Sequence, residues 1–488
     1  MTAAAIQPGN HRDSALTWEI LNDNDHYHIG APACGLRPSS DAPEGDAPFC
    51  VATTGREDML QIVRNQWSNW SGFVTAQPRH LATPDNQDDL STIITTAPGP
   101  IRIAGTGHSF TRLVQSDGTI LSLDNFQGLI AHDPHKLQAT VGAGTKIGPM
   151  TRLLHGVGQA LPNMGDIDTQ AFGGALATST HGSGATLGAY PTLLEAIEIT
   201  DGRGVVRKFN RTTNSDAINA MGVSLGAFGA VTQATIRNVA DYRLRRRRWT
   251  EPVAGVLDRF HSVMTAQRSV EFFYIPFSGQ AIMLSSEITD APATSRPPNT
   301  DDEAVKALRT LRNYFKRMPW LRKRLIGSAI GKLPPEDYVE AWLKVYASER
   351  NVKFNEMEYH LPIEEGAKAL REIITLLETR FPDVYFPIEV RVVAPDEIWL
   401  SPFYRRPSCS NAIHHGAPED PLPFFAAAEP IFRKYGGRPH WGKMHNLTAK
   451  ELSSIYPRWN DAMAVRREMD PDNRFVSPYM ARLLGIEP

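Results

Sequence analysis

Two glycines and a histidine lie close together in the stretch Gly105-Thr106-Gly107-His108-Ser109-Phe110, directly after the apolar run 101–104. Because glycine has no Cβ, the backbone of such a turn can approach a bound group closely. Successive backbone N–H groups can then form a concavity that suits a pyrophosphate. A neutral imidazole at its edge is a good nucleophile or general base. The same six residues are also typical of a tight turn with a surface histidine, because short motifs often occur by chance.

Three charged residues near the C-terminus are further candidates for chemistry. If residues 388–393 form a strand, Glu389 and Arg391 lie on one face, about 7 Å apart at Cα. An arginine at a reacting centre stabilises developing negative charge, and a carboxylate can orient a hydroxyl or accept its proton. Lys443 follows in the stretch 440–443. The alternatives are a half-solvated strand carrying an ion pair, and a lysine on a polar surface loop.

Metal and nicotinamide chemistry are the less favoured interpretations. The close histidine pairs lack a cysteine or acidic partner at metal-ligand spacing, so the sequence predicts no metal site. The glycines of the stretch 142–148 follow a predicted strand, but the third glycine comes one residue too late for a dinucleotide-binding turn. The expected acidic residue for a ribose is also missing.

Further glycine-rich segments follow His108 in a definite order: 161–166, 172–175 and 179–184. Together with the Glu389/Arg391 strand and the Lys443 segment, they resemble the aldonolactone oxidase and alditol oxidase branch of the vanillyl-alcohol-oxidase-type (PCMH-type) covalent FAD-linked oxidases. The resemblance covers about residues 67–488. It implies that FAD is bound covalently through His108.

The resemblance also assigns roles to individual positions. It implies that the remaining FAD contacts come from Ile103, Ala104, Gly105, Thr106, Gly107, Ser109, Phe110, Gly165, Asp166, Ala171, Gly174, Ala175, Leu176, Ala177, His181, Gly182, Gly184 and Ala230. It implies that Glu389, Arg391 and Lys443 are catalytic, and that they bind substrate together with Asp166 and His414. The implied partners are therefore a sugar alcohol or lactone and dioxygen.

The implied reaction moves hydride from the carbinol carbon of an aldonolactone or alditol to flavin N5. Electrons then pass to dioxygen and give hydrogen peroxide, so the chain is expected to be an oxidase. Flavin supplies this chemistry, and the protein orients substrate and adjusts charge. Two alternatives stay open: a dehydrogenase of the same fold with a quinone, dye or cytochrome acceptor, and a flavin-fold protein that binds without turnover.

Two positions bear on acceptor and substrate. The family position that matches Gly165 gates dioxygen, and a small residue there leaves a path to flavin C4a, although a turn glycine is the alternative. Asp166 stands where the polyol-oxidising relatives carry serine, which puts simple polyol specificity in question. Ala412 matches a substrate-binding histidine of those relatives, and His414, two residues on, is the expected replacement.

Composition sets broad limits on partners and compartment. The 488 residues are 41% hydrophobic and 21% charged, with a net charge of −2, so nothing overall favours nucleic acid or an anionic membrane. Three cysteines are too few for a disulfide framework, although Cys34 and Cys50 are able to pair. Neither a secretory signal nor a transmembrane run is recognisable, and a cytoplasmic protein is expected. Oligomeric state is not predicted.

The expected fold class is α+β, a PCMH-type FAD-binding domain plus a substrate (cap) domain with an antiparallel sheet and flanking helices. The expected divisions are an irregular extension over 1–60, the FAD domain over 67–240, the cap domain over 245–430, and a segment over 431–488 that returns to the FAD domain and completes the active site.

Local patterns predict individual elements of these domains. They predict helices over 84–94, with Asp85 as a possible cap, and over 147–155, and strands over 101–104, 119–123, 136–141, 193–200, 205–209 and 384–393. The four consecutive arginines 245–248 are interpreted as a solvated edge strand at a domain boundary rather than as a binding patch. The segment 313–332 is predicted to be helical, with a break at Pro319.

Overall fold

Mixed helices and sheets follow one another along the chain, and a long antiparallel sheet dominates the second half. The computed structural model describes residues 65–348 and 350–487. These described residues belong to one compact unit that spans Ile62–Pro488. The expected N-terminal extension, with Cys34 and Cys50, lies outside the described residues.

The strands are numbered in chain order. They are β1 Trp67–Ser68, β2 Thr75–Ala76, β3 His80–Ala82, β4 Ile101–Ala104, β5 Thr119–Ser122, β6 Leu129–Asp133, β7 Gln138–Gly142, β8 Gln159–Ala160, β9 Leu194–Thr200, β10 Val206–Asn210, β11 Ala230–Arg237, β12 Val239–Ala240, β13 Arg243–Pro252, β14 Ser269–Tyr274, β15 Gln280–Thr289, β16 Glu336–Ala341, β17 Phe354–Pro362, β18 Ile388–Val393, β19 Ser408–Gly416 and β20 Arg438–Pro439.

The helices are numbered in the same way. They are α1 Gln87–Thr96, α2 Ile147–Gly156, α3 Phe172–Ala177, α4 Ser215–Met221, α5 Val253–Asp258, α6 Phe260–Thr265, α7 Asp301–Phe315, α8 Pro319–Ile330, α9 Trp342–Tyr346, α10 Ile363–Arg380, α11 Leu422–Lys434, α12 Ala449–Ile455, α13 Trp459–Met469 and α14 Pro478–Leu484.

Three main sheets organise these elements. A three-stranded parallel sheet has the order β3-β5-β4, and a five-stranded antiparallel sheet has the order β10-β9-β11-β7-β6. The third sheet has eight strands in the order β16-β13-β15-β14-β18-β19-β17-β20. This architecture confirms the predicted α+β class with its antiparallel sheet.

The middle of the eight-stranded sheet is covered on both faces. All residues of β18 and β19 are buried, as are those of β17 up to Leu361. Helix α10 packs against β17 and β19 on one face, where a Cβ at Gly366 would lie 2.4 Å from the Sγ atom of Cys409. Strands enclosed in this way need not alternate between apolar and polar residues.

Two local predictions need correction. Helix α1 begins at Gln87, and its cap is Asn86 rather than Asp85, because the Asn86 side chain accepts hydrogen bonds from the backbone N–H groups of Asp88 and Asp89. The strand predicted over 384–393 is shorter at its N-terminal end, since β18 begins at Ile388.

The interpretation of the four arginines as an edge strand was wrong. Strand β13 lies inside the sheet, between β16 and β15. The alternating side chains find acidic partners on neighbouring strands: Arg245 and Arg247 pair with Asp337, Arg246 pairs with Glu271, and Arg248 pairs with Glu336. An interior strand tolerates these charges because Arg245 and Arg247 remain exposed to solvent, whereas the less exposed Arg246 and Arg248 each pair with a glutamate.

The break predicted at Pro319 separates two helices. Pro319 is the first residue of α8, the position where a proline costs no helical hydrogen bond. Helices α7 and α8 contact each other, and α8 also contacts β15 of the large sheet.

The last part of the chain makes hydrogen bonds with the first described elements. Arg474 donates to the backbone carbonyls of Ile94 and Ala97, and the Ile101 N–H donates to the Arg474 carbonyl at 2.7 Å. Among the described residues, no helix is long and apolar enough to cross a membrane.

Candidate active site

A cleft of about 1080 Å³, including its open mouth, lies along the loop that follows β4. Its walls also come from α3, the 224–231 segment and the 440–443 segment. Of the residues predicted to bind FAD, it is lined by Ile103, Ala104, Gly105, Thr106, Gly107, His108, Ser109, Ala171, Gly174, Ala175 and Ala177. The cleft therefore gathers segments separated by more than 300 residues.

Two glycines allow this loop to lie close to its neighbours. A Cβ at Gly105 would approach the Cβ of Ala171 to 2.9 Å. Gly107 has φ +76°, and a Cβ there would lie 3.3 Å from the Cα of Asn69. A side chain at either position would displace the wall of the cleft, so these glycines form a cradle that suits a large bound group.

His108 lies in this cleft beside two hydroxyls and an indole. Its Nδ1 atom is 3.0 Å from the Thr106 hydroxyl, and its Nε2 atom is 3.2 Å from the Thr169 hydroxyl. The Trp70 ring stacks on the imidazole, with 5.5 Å between ring centroids. Burial, with a smaller contribution from the Lys443 cation, lowers the pKa of His108 to about 4. At neutral pH the imidazole is therefore uncharged and can act as a nucleophile.

Glu389 and Arg391 lie on one face of β18, as predicted, and both are buried. The Arg391 guanidinium pairs with Glu389, with Glu271 at 3.0 Å and with Asp166 at 3.3 Å. Asp166 also pairs with Arg350. The half-solvated alternative for this strand was wrong, because neighbouring strands and the 166 loop enclose both side chains.

The protonation behaviour of this group follows from burial and pairing. Burial alone would raise the pKa of Asp166, but Arg350 and Arg391 outweigh it and lower that pKa below its usual range. Burial raises the pKa of Glu389 well above its usual value, against the attraction of Arg391. Burial opposes the charge of Arg391, yet the carboxylates around it raise its pKa further. Arg391 therefore keeps its positive charge and Asp166 its negative charge, whereas burial favours the protonated form of Glu389.

Lys443 lies at the wall between the cleft and the sheet. Its ammonium pairs with Glu356 and lies 5.0 Å from the centroid of the Phe110 ring. Burial disfavours its charge, but Glu356 and other carboxylates overcome this and raise the pKa of Lys443. The solvated alternative for this lysine was wrong, because it is enclosed and paired.

Backbone hydrogen bonds hold the loops of the cleft against the sheet. The Gly184 N–H donates to the Val392 carbonyl at 2.7 Å, which ties the 179–184 segment to β18. The Phe110 N–H donates to the Gly442 carbonyl at 2.7 Å, and this ties the His108 loop to the segment of Lys443. These two links set the distance between the cleft and the charged cluster.

The other residues predicted to contact FAD or substrate do not line the cleft. Phe110, Leu176 and Ala230 are buried, and Gly165, His181, Gly182 and Gly184 are buried as well. His414 is buried too, with its Nε2 atom 3.6 Å from Glu356 and its Nδ1 atom 2.8 Å from the Pro387 carbonyl. Thus Lys443 and His414 share one acidic partner.

Gly165 is buried, and its φ angle is not in the left-handed region, so no turn there demands glycine. A Cβ at this position would meet the His181 carbonyl oxygen at 3.3 Å and the Thr180 methyl at 3.5 Å. A single methyl group therefore fits with a small adjustment, whereas a longer side chain has little room.

A buried histidine–carboxylate cluster was not expected from the sequence. His181, Glu358 and His360 each bring one ligand atom within 4.8 Å of the others. Glu358 accepts from His181 at 3.0 Å and from the Ser410 hydroxyl. That the protein binds no metal stays a prediction. Measuring the metal content of the purified protein would test it for these three residues.

Sequence patterns alone missed several residues of the site. Glu356, Glu358 and His360 alternate along β17, and this period of two was a usable signal. Glu271 and Arg350 carry no comparable signal. Arg350 meets Asp166 across 184 positions of sequence, so only the folded chain reveals the pair.

Two family profiles match this chain. The D-arabinono-1,4-lactone oxidase profile matches residues 234–483, and the FAD binding domain profile matches residues 78–210. The second match covers the loop of His108 and the glycine-rich segments, so this part of the chain is an FAD-binding domain. The neutral histidine and the glycine cradle described above suit this group.

Curated relatives cover nearly the same part of the chain. The chain is 32% identical to an L-gulono-1,4-lactone dehydrogenase from Mycobacterium tuberculosis, over 86% of this chain and 99% of the relative. It is 27% identical to an alditol oxidase from a Streptomyces species and 25% identical to an L-gulonolactone oxidase from Mus musculus, in both cases over 86% of this chain and 98% of the relative.

Solved structures show the same fold at low identity. A cholesterol oxidase from B. sterolicum superimposes with a TM-score of 0.69 at 15% identity, over 89% of this chain and 100% of the other. A solvent-stable cholesterol oxidase gives a TM-score of 0.69 at 18% identity, over 86% and 97% of the two chains. Since a relative above 30% identity and a profile over half of the chain agree, the chain belongs to the D-arabinono-1,4-lactone oxidase family of FAD-binding oxidoreductases.

Proposed function

We propose that this protein oxidises a CH–OH group of a sugar-derived alcohol, an aldonolactone or an alditol, with FAD attached covalently to His108 and dioxygen as acceptor. The observation that carries the proposal is the buried cluster of Asp166, Glu389, Arg391 and Lys443 beside a cleft that suits FAD. Such a set of charges costs folding energy, because buried ionic groups lose hydration. A catalytic role explains why the protein retains this set of buried charges.

FAD, when bound, accepts hydride from the carbinol carbon at N5 and passes the electrons to dioxygen, which yields hydrogen peroxide. Residues 103–109 and the start of α3 would hold it, since they line the cleft. The neutral His108 imidazole is the nucleophile for the covalent bond, because burial keeps its pKa at about 4.

The charged residues have separate roles in this proposal. Arg391 and Lys443 keep their positive charges and stabilise negative charge that develops beside them. Glu389, as the carboxylate that pairs with Arg391, takes the hydroxyl proton, and burial, which raises the pKa of Glu389, favours the protonated form once the proton has been transferred. Asp166 stays ionised and accepts a hydrogen bond from a substrate hydroxyl. His414, which lines the neighbouring cavity, is a further substrate contact in this proposal.

Dioxygen is the proposed acceptor because Gly165 matches the family position that gates dioxygen, and a Cβ at this buried position would already lie 3.3 Å from the His181 carbonyl oxygen. The Mycobacterium tuberculosis relative is an L-gulono-1,4-lactone dehydrogenase, which supports a second candidate in which a quinone, dye or cytochrome is the acceptor. A non-catalytic flavin-binding protein is less well supported, because the whole charged cluster is present. We also propose the cytoplasm as the compartment, which cell fractionation would check.

The deciding experiment mixes the purified holoenzyme, without oxygen, with a panel of alditols and aldonolactones and follows bleaching of the flavin. Oxygen is then admitted, and reoxidation and peroxide are measured. Bleaching by one class followed by rapid reoxidation with stoichiometric peroxide is expected. Bleaching with slow reoxidation would support the dehydrogenase. A flavin that no member of the panel bleaches, with Glu389→Gln behaving like the wild type, would contradict the proposal.

A further inference from the structure

A second cavity lies over the eight-stranded sheet, beyond the charged cluster. It holds about 1980 Å³, including its open mouth, between the sheet and helices α7 and α8. The side chains of Asp166, Glu271, Arg350 and His414 form part of its lining. These are residues of the candidate active site or their direct ion-pair partners, so the cavity borders the charged cluster at which the alcohol is expected to react.

The sheet register places an apolar surface beside the catalytic pair. Phe273 of β14 is opposite Glu389 of β18, and Ile282 of β15 is opposite Phe273. Leu284 is opposite Glu271 in the same way. Because neighbouring strands are about 4.8 Å apart, these side chains extend from the reacting centre across roughly 10 Å of sheet.

This surface is packed less completely than the opposite face of the same strands, although Phe273 and Ile282 contact the apolar cluster that includes Leu308 of α7 and Ile326 of α8. Phe272, Ala281 and Met283 point to the other face and are 0% exposed. Ile282 and Leu284, one residue away, are only half-buried. The cavity is open to solvent, and charged residues such as Arg246, Arg248 and Glu336 line it together with the apolar ones. Ligand sites are commonly clefts of this kind, with an apolar wall and a few polar groups. The cavity therefore indicates room for a ligand that has both an apolar and a polar portion.

We infer that this cavity binds an apolar portion of the substrate, so that the natural substrate is an amphiphile, a sugar-like alcohol or lactone head joined to an apolar chain or ring system. This inference rests on the proposed function and deepens it. The head meets Glu389, Arg391 and Asp166, and the apolar portion lies on Phe273, Ile282 and Leu284 beneath α7 and α8. Asp166 then lies at the boundary between the two portions, held by Arg350.

The test measures binding of hexyl, heptyl and octyl β-D-glucosides to the oxidised holoenzyme by titration calorimetry, below their micellar concentrations. Affinity should increase about threefold to fourfold per methylene, with a negative heat-capacity change. In Ala329→Trp, which places a large side chain at an exposed position of α8 that lines the cavity, octyl glucoside should bind at least about tenfold more weakly. Ser328→Trp, at an equally exposed neighbouring position outside the lining, is the matched control. Ala307→Trp makes the corresponding change at the lining position of α7 and serves as the second variant.

Affinity that does not depend on chain length, or equal loss in Ala329→Trp and Ser328→Trp, would overturn the inference. Octyl glucoside should also compete with whichever alcohol or lactone bleaches the flavin, and non-competitive inhibition would detach the cavity from the reacting site. If the glucosides bind as expected but no alcohol or lactone bleaches the flavin, the proposed function fails and the apolar site stands. The two failures are therefore distinguishable.

Discussion

His108 combines burial, a nearby cation and two hydroxyl neighbours in one side chain. Burial and Lys443 both disfavour the imidazolium, and the pKa falls to about 4. Thr106 and Thr169 each lie within hydrogen-bond distance of one ring nitrogen, so the ring is oriented as well as neutral. These are the properties that a nucleophile for covalent flavin attachment requires.

We expect acid-precipitated wild-type protein to stay yellow, and a proteolytic peptide containing His108 to carry the flavin mass. His108→Ala should give a colourless pellet, while FAD still binds non-covalently in the native protein. In apoprotein reconstituted with FAD, attachment should depend little on pH between 6 and 8, because the imidazole is already neutral there. His132→Ala, at an exposed histidine, is the control. A colourless wild-type pellet would rule out the covalent bond.

Gly165 is the residue that we propose to leave a path for dioxygen. Gly165→Ala adds a methyl group where the nearest atoms lie at 3.3 and 3.5 Å, and Gly165→Leu fills the space more fully at some risk of overpacking. We expect substrate reduction of the flavin to change little in the alanine variant. Reoxidation by dioxygen should slow markedly, while an artificial acceptor that reaches the flavin edge still works.

The measurement for Gly165 is the reoxidation rate against oxygen concentration in wild type and variants. Gly156→Ala is a suitable control, because a Cβ there meets nothing within 4 Å. Equal second-order constants for wild type and both Gly165 variants would mean that the residue is not on the oxygen path. The oxidase proposal would then depend on the family relationship alone.

Among the elements, β17, β18 and β19 do the most to build the site. Their side chains alternate, and the buried charged residues Glu356, Glu389 and Arg391 are each paired with an opposite charge. Glu356 of β17 holds Lys443, and Glu389 of β18 holds Arg391. A strand sets such positions more rigidly than a loop does, which favours preorganised charge.

Arg391→Ala and Lys443→Ala should therefore slow flavin reduction far more than they weaken flavin retention. Removing one preorganised group of this kind costs on the order of 10² to 10³ in rate. Stopped-flow reduction gives the rate, and flavin absorbance per protein gives retention. Arg245→Ala, an exposed ion-paired arginine of the same sheet, should behave like the wild type. Reduction rates within about threefold of wild type in both variants would remove these residues from the catalytic set.

At the scale of the whole molecule, the C-terminal segment joins distant parts of the chain through buried charges. Arg466 is 1% exposed and pairs at 2.6 Å with Asp470, which is 0% exposed. Arg466 also donates to the Ala227 carbonyl beside β11. Asp470 in turn accepts from the N–H groups of Arg474 and Phe475. This network connects α13 to the sheets that surround the cleft.

Arg466→Ala should lower the free energy of unfolding by about 3–5 kcal/mol, because it leaves the buried Asp470 carboxylate without its cation. Urea unfolding of the holoenzyme, followed by circular dichroism, measures the change. Arg467→Ala changes the exposed neighbour and should cost about 0.5 kcal/mol or less. Similar losses in the two variants would show that the buried pair does not stabilise the molecule as we describe.

Sequence by itself determined the parts of this protein that depend on local pattern. The loop of His108, the strand that places Glu389 beside Arg391, and the break at Pro319 all follow from short-range rules of turn, alternation and proline geometry. Order along the chain was enough to recognise the family, because the motifs occur in a characteristic sequence. The same short-range rules predicted Asp85 as the cap of α1, one residue before the actual cap, Asn86.

Tertiary structure alone decided which charges meet and which faces are buried. Asp166 and Arg350 are 184 positions apart, and His181 and Glu358 are 177 positions apart, so no local pattern predicts either pair. The arginines of β13 were misplaced at a sheet edge because their partners lie on strands far along the chain. Strand order and burial arise from competition among all faces of the folded chain, and the hollow beneath α7 and α8 is a property of that packing rather than of any one segment.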